Sequence, residues 1–206
     1  MRLQRLFQPF QINQMTVKNR LAMTAMHLLY TEDGSVNQRT KDFYLARAKG
    51  GVGMIIAGGA AADPYIGYSH MLRMDDDRFI PGWRDLADAV HAYDCKLCVQ
   101  FLTPGRYGRK ECVEGDDNLL SASDVFARMT GTTPRPMTLE DIKLVQQRYA
   151  AAALRCKQAG VDGVRQLPPA GDESVVVHPE HMGVANVGVG GRTAGDDHAH
   201  AAFGTG

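Results

Sequence analysis

The chain has 206 residues, 44% hydrophobic and 22% charged, with 23 Lys and Arg against 23 Asp and Glu. That composition is ordinary for a globular protein with one sizeable core, and the charge balance gives no reason to expect nucleic acid or an anionic membrane as partner. The N-terminus MRLQRLFQPF lacks the apolar core of a signal peptide, and the longest apolar stretch, Val52 to Ala62, is glycine-broken and too short to span a bilayer. Four cysteines without secretory context fit free thiols, so a cytoplasmic location is expected.

In chain order, residues 3 to 17 read as a hairpin with Phe7, Phe10, Ile12, Met15 and Val17 as apolar members and Asn13-Gln14 at the turn. Residues 20 to 26 read as a strand buried on both faces, with His27 where it gives way to a loop. Asp33-Gly34 marks a turn. Asn37 to Lys49 reads as a helix with Phe43, Leu45 and Ala46 inward, stopped by Gly50-Gly51. Val52 to Ala57 is the second buried strand, and Gly58-Gly59 opens its loop. Asp75, Asp76 and Asp77 read as a solvated turn, since no second ligand cluster accompanies them for a metal. Pro81 fits the first turn of a helix reaching about Asp94, with Trp83, Leu86, Ala87 and Val90 inward.

Lys96 to Phe101 is the third strand. The Cys95 and Cys98 spacing places the two thiols on opposite faces, against a redox or zinc role. Residues 103 to 137, rich in Gly, Pro, Asp and Ser, read as a long loop of the kind that forms lids or stays disordered. Thr138 and Asp141 resemble a capping box for a helix from Leu139 to Ala159, with Ile142, Val145, Tyr149, Ala152 and Cys156 inward. Val161 to Val164 begins a fourth strand. Alternating strands and helices predict a parallel α/β fold, with residues 1–164 as its domain.

From Arg165 the character changes. The last 42 residues hold no Lys or Ile, one Leu, one aromatic (Phe203), eight Gly and four of the seven His. Such composition predicts disorder for residues 165–206. His178, His181, His198 and His200 lack the fixed frame a metal site needs, so no metal is expected.

Four segments, LFQPFQINQMTVKNRLAMTAMH, RAKGGVGMIIAGGA, QFLTPGRYGR and LVQQRYAAAALRCKQAGVDGV, together resemble the old yellow enzyme family of FMN oxidoreductases, nearest its 2,4-dienoyl-CoA reductase and enoate reductase branch. They keep the family's order and spacing over roughly residues 3 to 164. The resemblance implies a (β/α)8 TIM barrel, here a partial one of about four βα units with an N-terminal hairpin. It implies FMN at the carboxyl ends of the strands, NADH or NADPH as hydride donor, and an activated alkene as the small-molecule substrate. Ala25, Met26 and His27 match the family's flavin-touching segment after the first strand. Gly59 matches the small residue after the second, and Gln100 the glutamine that hydrogen-bonds the flavin pyrimidine. Taken alone, Gln100 reads equally as a strand-end residue and Gly59 as a turn glycine.

Two departures stand out. Thr103 occupies the place of a histidine in many relatives. After Val164, where the branch carries its catalytic tyrosine, this chain reads RQLPPAGDESVVV, so no catalytic residue is assigned. The abrupt change reads as a frameshift or truncation. A barrel of this type takes about 250 residues, so the first and fourth strands are expected to be unpaired edges through which copies self-associate. The alternatives to an FMN-dependent ene-reductase are a non-catalytic half-barrel that binds flavin weakly or not at all, and an unrelated barrel enzyme without flavin.

Overall fold

The computed structural model describes residues 3–63, 70–108, 119–166 and 176–177. A short 3-10 turn, Gln4–Phe7, leads into the hairpin, in which β1 (Phe10–Ile12) pairs antiparallel with β2 (Met15–Val17), Phe10 opposite Val17. Its turn falls at Asn13-Gln14, and Asn13 takes a left-handed φ of 52° that asparagine tolerates better than most residues. Asn19 then fastens the chain. Its amide nitrogen donates to the Gly51 carbonyl at 2.8 Å, and its oxygen accepts from the Leu21 amide at 3.0 Å.

The first barrel strand is shorter and more open than expected. β3 covers Ala22–Met23 alone, with one further bridge between His27 and Gly58. Ala22, Thr24 and Met26 are exposed. Among the described residues β3 has only β4 (Met54–Ala61) beside it, so it is an edge strand with one side of its backbone unpaired. β4, by contrast, outruns its expected end at Ala57. It continues through Gly58-Gly59 to Ala61 because β6 (Lys96–Phe101) and β5 (Leu72–Arg73) both pair with it in parallel.

α1 (Gln38–Lys49) starts at Asn37, whose side chain accepts from the Thr40 amide at 2.9 Å. Its buried stripe is Thr40, Tyr44 and Ala48, an i, i+4, i+8 row; Phe43 and Leu45 are half-buried, and Ala46, expected inward, is exposed. α2 (Ile80–His91) buries Trp83, Leu86, Ala87 and Val90 as predicted. The Trp83 indole satisfies its N–H on the Arg73 carbonyl at 2.9 Å. Of the three aspartates, Asp76 accepts from the Arg78 amide and Asp77 from Arg155, both at the surface. The Asp75 side chain is largely buried instead, held by two hydrogen bonds from the Arg73 guanidinium at 2.8 and 2.6 Å.

The expected long loop after β6 carries structure of its own. A 3-10 turn (Gly105–Tyr107) is followed by β7 (Leu120–Ser121) and β8 (Arg135–Pro136), paired in parallel. α3 (Leu139–Gln158) opens on the Thr138–Asp141 capping box, with Asp141 also gripped by Arg135 at 2.8 and 3.0 Å. The guanidinium holds the Asp141 carboxyl far below the ordinary carboxylate range. β9 (Gly163–Gln166) then pairs in parallel with β6. Val176–Val177 form β10, antiparallel to β9, so the fourth barrel strand is not the unpaired edge expected of it. Apart from that short strand, the residues after Gln166 for which disorder is expected lie outside the described residues.

The parallel strands stand in chain order, β3-β4-β6-β9. A doubly wound sheet reverses direction at a switch point; a barrel wall does not. Side chains divide by parity. Ile55, Ala57, Leu97, Val99 and Phe101 join the core under the helices, and Met54, Ile56 and Cys98 face the hairpin's Met15 and Val17. Cys95 and Cys98 therefore lie in different clusters, as their spacing requires. Among the described residues no group of His, Cys, Asp or Glu could hold a metal ion, and no helix is long and apolar enough to cross a membrane.

Asp162 ties the amino end of this wall together. Its Oδ2 accepts from the Leu97 amide at 2.8 Å and meets His91 Nε2 at 2.6 Å, and its Oδ1 accepts from Lys96 Nζ at 2.9 Å. Burial alone would push the carboxyl up, but the bonds from His91, Leu97 and Lys96 outweigh it and leave the pKa lowered. Asp162→Ala should therefore destabilise the fold by about 2–3 kcal/mol at neutral pH, since it leaves buried donors without an acceptor. A carboxyl whose folded pKa is depressed stabilises above its unfolded value, about 4, and loses that contribution as pH falls through the folded value. In urea melts the gap between wild type and Asp162→Ala should narrow from neutrality to about pH 3. A gap that holds constant would show that the carboxylate's charge is not what matters.

Candidate functional site

The inward parity that begins at Met54 and Ile56 on β4 and at Cys98 on β6 continues upward to Gly58 and Gln100, which are register partners. The hairpin fills the lower part of this inner face. The upper part, at the carboxyl ends of the strands, is where ligands bind in parallel α/β folds. A Cβ placed on Gly58 would stand 2.8 Å from the Ala25 Cβ, closer than real Cβ contacts come, and 3.0 Å from the Gln100 Cβ, tighter than most of them. Ala25, Gly58 and Gln100 thus pack directly against one another, with Gly58 buried between the other two. Tyr44 of α1 lies beside Gly58; burial pushes its phenol up to about 12, with the Gly58 amide opposing.

Gly59 sits differently. The pairing with β6 shifts register between Gly58 and Ala60, a bulge that breaks the alternation. A Cβ on Gly59 would meet Leu102 at 3.0 Å and Met71 at 3.5 Å rather than Ala25 or Gln100. Gly59, which the family resemblance picks out, is therefore off the inner parity, and Gly58 is on it. Counting in twos from the apolar Met54 and Ile56 leads to Gly58.

The remaining residues of the predicted set lie along the same rim. The His27 backbone bridges to Gly58. Burial lowers the His27 pKa, so the imidazole is neutral at neutral pH, with one nitrogen to donate and one to accept. Met26 alternates outward and is 52% exposed. Gln100 is 8% exposed, and no hydrogen bond to its side chain is found among the described residues. Its amide nitrogen and oxygen are not sealed from solvent, so a donor and an acceptor are both available at the strand end.

Two further polar pairs close the rim from the outside, and neither was visible as such in the sequence. The Tyr149 hydroxyl of α3 hydrogen-bonds Thr103 Oγ1, and Arg148 donates to Asp63, which is 2% exposed just past the end of β4. Burial pushes the Tyr149 phenol up to about 12, opposed by the Thr103 hydrogen bond and assisted by the Asp63 charge.

The chain resembles the metal reductase of Desulforamulus reducens, with 41% identity over 81% of this chain and 25% of that one. It is 35% identical to an NADPH dehydrogenase of Geobacillus over 76% of this chain and 46% of that one. Among solved structures, morphinone reductase in complex with tetrahydroNAD superimposes with a TM-score of 0.72 at 24% identity, over 78% of this chain and 48% of the other. An old yellow enzyme from Pichia gives 0.70 at 23%, over 79% and 45%. The chain therefore spans less than half the length of these relatives, and its strands are part of a TIM-barrel wall. The profile of the NADH:flavin oxidoreductase / NADH oxidase family matches residues 5–166, and the chain belongs to that family.

Proposed function

We propose that this chain supplies the flavin-ring-facing wall of an NAD(P)H-dependent FMN oxidoreductase whose substrates are activated alkenes. The observation that carries the reading is Gln100: a largely buried residue whose amide makes no hydrogen bond among the described residues and is still reachable, beside a glycine where three chain segments meet. An isoalloxazine fits these residues. Its flat face needs small side chains beside it, as Ala25 over Gly58 supplies, and its pyrimidine edge needs one donor and one acceptor, which an amide combines. His27 and Met26 would border the ring, with Gly59 shaping the strand end behind it. When bound, FMN supplies the hydride chemistry; the residues here orient the ring and exclude water from one side of it. The family name and the NADPH dehydrogenase relatives support a nicotinamide donor.

The segment after Val164 does not match the family's tyrosine motif, so we further propose that this chain contributes no proton donor of its own. A positioned donor typically contributes about a hundred- to ten-thousand-fold. Flavin binding and turnover therefore separate.

Two measurements follow. FMN titrated by fluorescence quenching should bind the wild type, and Gln100→Ala should weaken binding by about 1–3 kcal/mol. Gly58→Ala should weaken it further while costing about 1–3 kcal/mol of stability through overpacking. Wild-type protein that binds no FMN, or a Gln100→Ala variant that binds it equally well, would remove the proposed site. In the second measurement the chain is assayed with excess FMN, NADH or NADPH and a panel of enones under nitrogen. Turnover should not exceed that of free FMN, and clear protein-dependent reduction would show that a donor is present after all.

A further inference from the structure

Consecutive residues of α3 reach the carboxyl ends of two different strands. Tyr149 hydrogen-bonds Thr103, two residues beyond β6, and its ring meets Phe101 edge-on with centroids 5.8 Å apart and planes at 73°. Arg148 pairs with Asp63, two residues beyond β4. The Leu102 amide donates to the Ala60 carbonyl at 3.1 Å and ties the two strand ends to each other. Gly58 and Gln100 lie a few residues upstream of these anchors, on the same two strands.

We propose that Arg148 and Tyr149 are positioning residues: through Asp63 and Thr103 they fix the ends of β4 and β6, and so hold Gly58 and Gln100 at the separation the flavin ring requires. This rests on the flavin reading above. Apolar side chains at these places would cover the sheet equally well. A hydrogen bond and an ion pair set distance and direction, which apolar contact does not, and burying them is costly enough that geometry is the return. Thr103 belongs to the same arrangement. Its hydroxyl needs a partner once half-buried, and the Tyr149 phenol stays neutral across the working pH range, so the anchor does not titrate.

The test uses the whole chain with FMN, comparing wild type with Thr103→Val, Thr103→Ser, Tyr149→Phe and Arg148→Met. Affinity, the visible spectrum of the bound flavin and the melting temperature are read for each. Thr103→Val and Tyr149→Phe should each lower FMN affinity about 5- to 10-fold and shift the flavin bands. Their combination should be no worse than either alone, because both remove the same bond. Thr103→Ser, which keeps the hydroxyl, should restore affinity and spectrum. Arg148→Met should weaken binding independently of the other two. Should Tyr149→Phe or Arg148→Met fail to fold, Thr103→Val against Thr103→Ser decides alone. Wild-type affinity and spectrum in Thr103→Val, or a serine variant as weak as the valine one, overturns the proposal and leaves the flavin reading standing. A wild-type chain that binds no FMN overturns the flavin reading, and this proposal with it.

Discussion

Everything at the carboxyl end of this wall depends on how closely β3, β4 and β6 approach at Gly58. With 2.8 Å from an added methyl to Ala25 and 3.0 Å to Gln100, the position admits hydrogen and nothing larger. Gly58 in turn stays in place because β4 is the most heavily paired strand of the sheet. β6 runs along one side of it, and β3, the His27 bridge and β5 line the other. The glycine lets Ala25 and Gln100 come together over β4, and the parallel ladder holds that approach in place.

The same parity rule separates the hairpin-covered part of the inner face from the strand ends. On the inner face, Met54, Ile56 and Cys98 are sealed from below by Met15 and Val17. Two residues further along each strand, Gly58 and Gln100 lie beyond the hairpin, against Ala25. Polar ties gather at the opposite end of the wall, in the Asp162 cluster and the Asn19 link to Gly51. This is the usual arrangement in barrels, where the amino-terminal face stabilises and the carboxyl-terminal face binds. The Asp63–Arg148 and Thr103–Tyr149 pairs are a local exception, placing ordering contacts directly behind the binding face.

Much of this was legible in the sequence wherever one physical signal dominated. Trp83, Leu86, Ala87 and Val90 carry a clean helical period, the strand from Lys96 to Phe101 is bounded on both sides, and Thr138 with Asp141 specifies a cap through local hydrogen bonds. Legibility failed where long-range pairing decided. A glycine doublet reads as the end of a strand, yet neighbours on both sides carried β4 through it to Ala61. The run Leu21 to Met26 reads as doubly buried, yet Ala22, Thr24 and Met26 are exposed on a strand that pairs with β4 alone among the described residues. Asp75 reads as solvated until Arg73 is seen to fold over it. Gln100 and His27 were found through family resemblance, since single residues at strand ends carry no period. Tyr149 was found as a core residue only, because nothing in a sequence shows that its hydroxyl meets Thr103.

The central claim is that the flavin ring itself, rather than its phosphate tail, is recognised at this strand-end surface. Amide chemical shifts of the isotope-labelled chain, followed on adding lumiflavin, which carries the ring without ribityl phosphate, address it most directly. The account predicts shifts concentrated at Ala25 to His27, Gly58, Gly59 and Gln100, with the hairpin residues Phe10 to Val17 unmoved. Shifts spread over the hairpin and the Asp162 end, with the Gly58 and Gln100 amides unchanged, would contradict it.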